Sequence, residues 1–265
     1  MIKYFRGDVM IREIETKEYS IIKKIIEEDI GRNYFILLGL TIKKEVYDKI
    51  FGEFEGEILK AALFRRKTGT LQFFNNGDFH IDEFVKLISN LEYNTLIGPK
   101  SYCDCFLDKG IFSTPKGGAY ISKLSKDSIV KISKNSLNIR EIKESDLDEI
   151  VKLYNKVFSS FSSKEVMEDK LRTRRGRGIC IEDNGKIISI AQTDFEMEKS
   201  ALIVGVATDP NYQKQGFGTE CMQVLVNKLL IEKKDIYLQY DNLDAGKIYE
   251  RIGFKRIDQM VHYQK

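Results

Sequence analysis

The fold is decided by a stretch in the last quarter of the chain, which reads Val206-Ala207-Thr208-Asp209-Pro210-Asn211-Tyr212-Gln213-Lys214-Gln215-Gly216-Phe217-Gly218-Thr219. It joins the apolar run Ser200 to Thr208, which predicts a buried strand, to Thr219 to Lys233, where apolar residues repeat on one face of a predicted helix. Pro210 lacks an N–H and ends the strand, and Gly216 and Gly218 let successive N–H groups turn toward the helix N-terminus. Because free N–H donors and the helix dipole attract anions, this stretch predicts a diphosphate site.

A second informative segment follows the predicted strand Asp235 to Tyr240. Asn242 comes directly after that strand, Tyr249 lies on the predicted helix Ala245 to Ile252, and Gly253-Phe254 opens the next strand. A Gly-x-Gly turn by itself is also typical of an ordinary tight turn. Two motif segments in the correct order, each with its own strand and helix, are far more specific.

Together the two segments resemble the GNAT superfamily of N-acetyltransferases. That family has an Arg/Gln-x-x-Gly-x-Gly/Ala loop between its fourth strand and third helix, which is matched by Gln213, Gly216 and Gly218. Its next segment is matched by Asn242, Ala245, Tyr249, Gly253 and Phe254. The resemblance covers roughly residues 137 to 265 and implies acetyl-coenzyme A as the acyl donor and an amine as the acceptor.

The resemblance also implies roles for individual residues. In the family, main-chain groups of the fourth strand pair with pantetheine and the thioester, and here Val206 and Thr208 would supply them. Tyr249 is the expected general acid, with simple packing of this side chain as the alternative. The residues expected to bind the cofactor are Val206, Thr208, Gln213, Lys214, Gln215, Gly216, Phe217, Gly218, Thr219, Asn242 and Ala245.

The sequence defines the general base less sharply. Asp194, Glu196 and Glu198 lie at the end of the predicted third strand and are the nearest carboxylates in the family geometry. We expect Glu196 to accept the proton that the acceptor ammonium must lose. A solvated strand end, and proton transfer through ordered water, are the alternatives.

Length and composition indicate a globular protein of two domains, since 265 residues exceed one usual core. The 43 Lys and Arg residues are mixed with 40 Asp and Glu along the chain, so we expect no nucleic-acid partner. Met1 to Met10 lacks the apolar core of a secretion signal, and no apolar run approaches the ~18 residues of a membrane span. We therefore expect a cytoplasmic protein that does not associate with membranes.

Cysteine and histidine usage argues against disulfides and metal. The four cysteines Cys103, Cys105, Cys180 and Cys221 lack paired spacing, which is typical of reduced thiols. With only His80 and His262 available besides, a zinc site would need distant ligands to converge, and we expect no metal.

An internal repeat supports the two-domain organisation. Ile11-Arg12-Glu13-Ile14 returns as Ile139-Arg140-Glu141-Ile142, and each copy is followed by a helical pattern. In each half the predicted order of elements is strand, helix, strands, helix, strand, helix, strand. We predict an α/β (α+β) fold of two GNAT-like domains, residues 1–130 and 137–265, each with a mixed, mostly antiparallel twisted sheet flanked by helices.

The first copy is predicted to be degenerate. Its strand Thr70 to Phe74 is followed by Asn75 to His80 without a Gly-x-Gly, and its helix opens with Asp82 and Glu83. Phe106 stands where the second copy has the predicted acid and has no hydroxyl. We expect the N-terminal domain not to bind the cofactor. The resemblance to tandem GNAT proteins implies that it covers a face of the catalytic domain or shapes its acceptor site.

Three functions fit these observations. The first is an acetyltransferase acting on a primary amine of a small molecule, peptide or protein. The second is a coenzyme A sensor without catalysis, which retention of Tyr249 disfavours. The third is a tandem transferase that uses another acyl donor. The sequence determines neither the acceptor nor the oligomeric state.

Overall fold

The computed structural model describes residues 3–6, 9–41, 46–113, 116–132, 138–159, 161, 163–194 and 196–265. The chain divides into two compact units. One consists of Met1–Ile121 together with Ile257–Lys265, and the other of Ser122–Arg256.

The first unit is a mixed sheet with helices. Its strands are β1 (Lys3–Arg6), β2 (Val9–Glu13), β3 (Tyr47–Glu55), β4 (Ile58–Arg66), β5 (Thr70–Asn75) and β6 (Thr95–Pro99). Its helices are α1 (Tyr19–Ile26), α2 (Ile30–Thr41), α3 (Ile81–Ser89) and α4 (Lys100–Cys103). Neighbouring strands are antiparallel from β1 to β5, and β5 and β6 are parallel. The core centres on Phe73, whose ring contacts those of Phe79, Phe84 and Phe106.

The second unit repeats this plan after β7 (Lys116–Leu124), a strand that the unit boundary divides. Its strands are β8 (Asn138–Glu141), β9 (Gly178–Asp183), β10 (Lys186–Asp194), β11 (Ser200–Thr208) and β12 (Asp235–Tyr240). Its helices are α5 (Leu147–Val157), α6 (Lys164–Arg172), α7 (Phe217–Ile231) and α8 (Leu243–Ile252). The strands from β8 to β11 are antiparallel, and β11 and β12 are parallel. The predicted fold class is therefore confirmed.

The last strand, β13 (Lys255–Gln264), differs from the predicted domain ranges. Its residues Met260 to Gln264 pair antiparallel with β6, so the C-terminal nine residues, which were predicted to belong to 137–265, belong to the first unit. Side chains of this unit also hold the strand, because Arg32 donates to Asp258 at 2.8 Å. The residues between the two predicted domain ranges, 131–136, lie partly outside the described residues.

Equivalent contacts occur at equivalent positions of the repeat. Arg12 donates to the carboxylate of Glu18 at 2.8 and 2.6 Å, and Arg140 donates to Asp146 at 2.7 and 3.0 Å. Ile14 N–H donates to the Ile50 carbonyl, and Ile142 N–H donates to the Gly178 carbonyl. The repeated tetrapeptide therefore performs the same structural task in both copies.

Local structure in the second unit follows the sequence signals closely. The strands Ser200–Thr208 and Asp235–Tyr240 have the predicted bounds. Asn184 and Gly185 have φ angles of 49° and 76°, as a tight hairpin between β9 and β10 requires. Helix α7 begins two residues earlier than predicted, at Phe217, because Gly216 already forms its N-cap.

Candidate active site

The candidate site begins where β11 and β12 stop pairing. Their parallel register runs from Ser200 opposite Asp235 to Ile203 opposite Leu238. Val204 to Thr208 extend beyond this register, while β10 continues to pair with β11 as far as Thr208. Among the described residues, no strand pairs with this edge of β11 over its second half, so its main-chain groups can pair with a ligand.

Two main-chain N–H groups point to this open edge. Asp209 N–H donates to the Ile188 carbonyl at 2.8 Å, on the β10 side. Because N–H groups alternate between the two edges of a strand, those of Thr208 and Val206 point away from β10. These are the two residues that the sequence assigned to pantetheine and the thioester.

A bulge shapes β11 just before Val206. The register with β10 shifts between Ile190 and Gln192, so that β11 carries one extra residue there. Gly205 has φ of 58°, and a Cβ at this position would lie 2.8 Å from the Phe161 ring and would also collide with the Tyr154 hydroxyl. Only glycine fits this bulge, because both the backbone conformation and the space exclude a side chain.

The loop before α7 has the geometry of an anion cradle. Lys214 and Gly216 have φ angles of 63° and 89°, and the residues Gln213 to Gly216 are exposed. The first helical bond of α7 runs from Glu220 N–H to the Gly216 carbonyl at 3.0 Å. The N–H groups of Phe217, Gly218 and Thr219 therefore precede the first turn and have no intrahelical acceptor. Left-handed residues next to free amides form a concave donor set that suits a diphosphate.

Gly218 has a packing role as well. A Cβ there would lie 2.9 Å from Thr208 Oγ1, so glycine lets α7 approach the end of β11. Thr208 Oγ1 in turn lies 2.8 Å from Ser189 Oγ. The Gln213 side chain, which was predicted to contact the cofactor, donates weakly to the Thr208 carbonyl at 3.4 Å.

Tyr249 lies on α8, beside the C-terminal end of β12. Its ring centroid is 5.4 Å from that of Tyr240 and 6.3 Å from that of Phe254, and its side chain is buried. Burial raises the pKa of the Tyr249 hydroxyl to about 12, with the neighbouring Tyr240 adding to the effect. The phenol therefore remains protonated at neutral pH, as a general acid must be before it acts.

Asn242 and Ala245 form the start of this helix. Asn242 Oδ1 accepts hydrogen bonds from the N–H groups of Asp244 at 2.9 Å and Ala245 at 3.2 Å. The side-chain oxygen of Asn242 is thus used as an N-cap, which satisfies donors that the helix leaves free. Their predicted contact with the cofactor stays a prediction, and the observed contacts explain both positions as helix capping.

Glu196 does not have the surroundings of a general base. Arg177 donates to both of its oxygens, with Nε at 2.9 Å and Nη2 at 2.5 Å, and the Thr193 hydroxyl donates to Oε1 at 2.6 Å. The Glu196 side chain is only 7% exposed. Both carboxylate oxygens are thus already used as acceptors, by the Arg177 guanidinium and the Thr193 hydroxyl.

The position of Glu196 in the sheet bears on the same prediction. Asp194 pairs with Leu202, so Glu196 lies beside the start of β11, which in turn pairs with the start of β12. Tyr249 packs at the other end of β12, against Tyr240, roughly 17 Å along the strand at ~3.3 Å per residue. The structure does not bring Glu196 and Tyr249 together, which favours the alternative, proton transfer through ordered water, over Glu196 as the base.

Residues 101–263 match the sequence model of the family described as GNAT acetyltransferase. The chain belongs to this family. The suspected relationship is thereby confirmed, and acetyl transfer to amines is the activity that this family shares.

Relatives and solved structures agree with this assignment. The chain is 32% identical over 76 residues to the [ribosomal protein bS18]-alanine N-acetyltransferase of Escherichia coli K12, covering 27% of this chain. It spans about half of that relative, 49%. A GNAT-family acetyltransferase from Colwellia psychrerythraea shares the fold with a TM-score of 0.70, 13% identity and coverage of 96% of this chain and 98% of that one. A tandem GNAT protein from the clavulanic acid biosynthesis pathway gives 0.62 at 10% identity, covering 97% and 98%. The tandem form of the GNAT fold is thus shared over nearly the whole chain.

Some residues beside the GNAT site were missed by the sequence reasoning. Tyr154 on α5, Lys170 on α6 and Gln192 on β10 form a buried polar chain that ends at Gly205. A glycine inside the apolar run Leu202 to Ala207 is a recognisable bulge signal. The polar chain has a weaker signal, because Tyr154 fits an apolar helix stripe equally well.

The described part of the chain offers neither a metal-ligand group nor a membrane-spanning helix. Within the residues that the structure describes, no group of three or more His, Cys, Asp and Glu side chains is arranged to hold a metal ion. No helix among them has the length and apolarity to cross a membrane.

Proposed function

We propose that this GNAT protein transfers an acetyl group from acetyl-coenzyme A to a primary amine, with donor and acceptor bound at the same time. The observation that carries the proposal is the early end of the β11–β12 pairing, which leaves Val206 and Thr208 with outward N–H groups beside the donor-rich loop before α7. An extended pantetheine arm and a diphosphate require this combination of an open strand edge and an anion cradle.

In this proposal, separate groups bind the diphosphate, bind the thioester and donate the proton. The N–H groups of Phe217 to Thr219 and the left-handed loop at Lys214 and Gly216 bind the diphosphate. Val206 and Thr208 N–H groups pair with the pantetheine arm and the thioester carbonyl, where negative charge develops during attack. The Tyr249 hydroxyl donates a proton to the departing thiolate. Because the thiol has a reference pKa of about 8.5, the leaving group ends as the neutral thiol at pH 7.

The acceptor amine must lose a proton, and Glu196 has no part in this step because Arg177 holds both of its oxygens. In our proposal the proton leaves through water. The matched bacterial relative is named for an alanine of a ribosomal protein. A peptide with an N-terminal alanine is therefore a reasonable acceptor to test beside small amines.

The full chain should be used to test this function, since β13 begins in the second unit and continues into the first, where Met260 to Gln264 pair with β6. Calorimetric titration with acetyl-coenzyme A measures binding, and release of free thiol measures transfer to a panel of small amines and alanine-initiated peptides. We expect binding and acceptor-dependent thiol release. Tight binding without thiol release from any acceptor would instead support the coenzyme A sensor, and absence of binding would refute the proposal.

A further inference from the structure

A buried chain of polar side chains reaches the β11 bulge from helix α6. Lys170 Nζ donates to Gln192 Oε1 at 2.7 Å, Gln192 Nε2 donates to the Tyr154 hydroxyl, and that hydroxyl donates to the Gly205 carbonyl at 2.8 Å. Lys170, Gln192 and Tyr154 are 5%, 1% and 2% exposed. Burying three polar side chains is costly unless each is satisfied, so their joint arrangement calls for a function.

The lysine fixes the direction of every hydrogen bond in the chain. A charged lysine is only a donor, so the Gln192 oxygen must face Lys170 and the amide NH2 group must face Tyr154. The Tyr154 oxygen then accepts from Gln192, and its single proton is left for the Gly205 carbonyl. Burial raises the pKa of Tyr154, which keeps this proton in place. Burial lowers the pKa of Lys170 to about 8 against the opposing charges of Asp194 and Glu196, so Lys170 remains charged at pH 7.

The Gly205 carbonyl shares its peptide plane with the N–H of Val206. In a trans peptide the C=O and N–H bonds point in opposite directions. Holding the carbonyl toward Tyr154 therefore holds the Val206 N–H toward the open edge of β11. Free rotation at this point would otherwise be easy, because Gly205 has no side chain to restrict it.

We propose that Lys170, Gln192 and Tyr154 are positioning residues that orient the Gly205–Val206 peptide so that the Val206 N–H donates to the thioester carbonyl. The inference rests on the proposed function, because it assumes that acetyl-coenzyme A lies along β11. The three side chains touch neither donor nor acceptor. They act through one peptide group, which they hold in place before the donor binds.

Two substitutions interrupt the hydrogen bonds that link Lys170, Gln192 and Tyr154 to Gly205, and both keep the size and shape of the side chain nearly unchanged. Gln192→Glu keeps an oxygen for Lys170, but its carboxylate is only an acceptor and draws the Tyr154 proton away from Gly205. Tyr154→Phe removes the donor to Gly205 altogether. Lys170→Met is a third, weaker variant, since it allows the Gln192 amide to turn over.

The first unit offers a matched control. Tyr47 is also a buried tyrosine, and its hydroxyl donates to Gln72 Oε1 at 2.6 Å. Tyr47→Phe removes a buried tyrosine–glutamine hydrogen bond of the same kind, one that does not involve β11. Thermal unfolding of all variants identifies any that do not fold.

The most direct readout is the infrared band of acetyl-coenzyme A labelled with 13C at the thioester carbonyl, recorded by difference spectroscopy at pH 7. In the wild-type complex we expect the band below its position for the free compound in water. Gln192→Glu and Tyr154→Phe should raise it while the dissociation constant changes little, and Tyr47→Phe should leave it in place. Once an acceptor is identified, kcat of Gln192→Glu and Tyr154→Phe should fall roughly 10- to 100-fold. This decrease is somewhat smaller than the one caused by complete loss of an oxyanion donor.

The outcomes separate this inference from the proposed function. A wild-type complex that forms with an unshifted band, or folded variants that bind with the wild-type band, would overturn the positioning role and leave acetyl transfer standing. Failure of the wild-type chain to bind acetyl-coenzyme A would overturn both.

Discussion

The N-terminal ends of helices α3 and α7 occupy equivalent places in the two copies but treat their free donors differently. At α3 the N-cap residue His80 gives its N–H to the Glu53 carboxylate at 2.9 and 3.2 Å, and its Nδ1 lies 3.0 Å from the same group. At α7 the N-cap is Gly216, with φ of 89°, and its loop is exposed. The first copy supplies its own anion at this end, whereas the second leaves donors free for a ligand.

The two copies also differ at the predicted acid. In both, the parallel strand pair ends early, at Leu71 opposite Leu96 in the first copy and at Ile203 opposite Leu238 in the second. In the first copy Phe106 is fully buried, and its ring packs against Phe73 at 4.9 Å. Diverging strands are therefore not sufficient for a site, because a core can fill the space that they create.

The largest expected effect is on catalysis at Tyr249. Tyr249→Phe should lower kcat roughly 10²- to 10⁴-fold, the usual contribution of a general acid, and leave the dissociation constant of acetyl-coenzyme A nearly unchanged. Thiol-release kinetics and calorimetric titration measure the two quantities.

The matched control for this prediction is Glu196→Gln in the same assay. It should reduce stability, because Arg177 loses a buried carboxylate, but keep kcat close to wild type. A large loss of kcat in this variant, with full cofactor binding, would restore Glu196 as the base.

The next effect is on stability in the first copy. Glu53 is 2% exposed and accepts from His80, so Glu53→Gln should lower the free energy of unfolding by about 1 to 3 kcal/mol, as measured in urea. We expect no second acetyl-coenzyme A to bind, since this copy also lacks a Gly-x-Gly turn. Binding of a second acetyl-coenzyme A molecule would show that Glu53 alone prevents the first copy from binding this cofactor.

A smaller effect is expected on cofactor affinity from a pair of glycine variants. Gly216 and Gly77 have φ angles of 89° and 118°, and an added Cβ meets no atom within 4 Å at either. Gly216→Ala and Gly77→Ala should each cost about 1 kcal/mol of stability through backbone strain. Only Gly216→Ala should also weaken acetyl-coenzyme A binding, by roughly tenfold, which corresponds to ~1.4 kcal/mol. Equal affinities of the two variants would argue against the cradle before α7.

The smallest effect concerns a salt bridge that occurs in both copies. It joins the arginine of the repeated tetrapeptide to a carboxylate six residues later. The hydrogen bond from Arg12 lowers the pKa of Glu18 from 4.5 to about 2, and that from Arg140 lowers the pKa of Asp146. A depressed carboxylate pKa stabilises the fold above pH 4.5 and loses this contribution as the pH falls toward 2. Glu18→Gln should cost about 1 kcal/mol at pH 7, and its unfolding free energy should fall less than that of wild type between pH 5 and 2. Parallel curves for the two proteins would contradict the pairing.

Much of this fold can be predicted from the sequence, because the patterns that indicate its strands, helices and turns are local. The strand Ser200–Thr208 is an apolar run closed by Asp209-Pro210, and the hairpin at Asn184-Gly185 needs left-handed residues. The anion loop could be predicted for the same reason, since Gly216 meets a backbone requirement that few other residues meet.

The remaining features depend on contacts between residues far apart in the chain, which cannot be predicted from local sequence patterns. Glu196 looked available as a base because nothing nearby in the sequence shows that Arg177 would hold it. Pairing of β13 with β6 joins residues far apart in the chain, and a strand pattern does not reveal its partner. Glu53 and His80 likewise meet only when β3 lies beside the start of α3.

The central claim is that only the second copy exposes main-chain donors to acetyl-coenzyme A. Amide hydrogen exchange of the full chain, with and without saturating acetyl-coenzyme A, tests it most directly. We expect slower exchange in Val204 to Thr208 and Gln213 to Thr219, and unchanged exchange in Asn76 to Glu83. Protection in Asn76 to Glu83 instead, or no protection between Gln213 and Thr219, would contradict it.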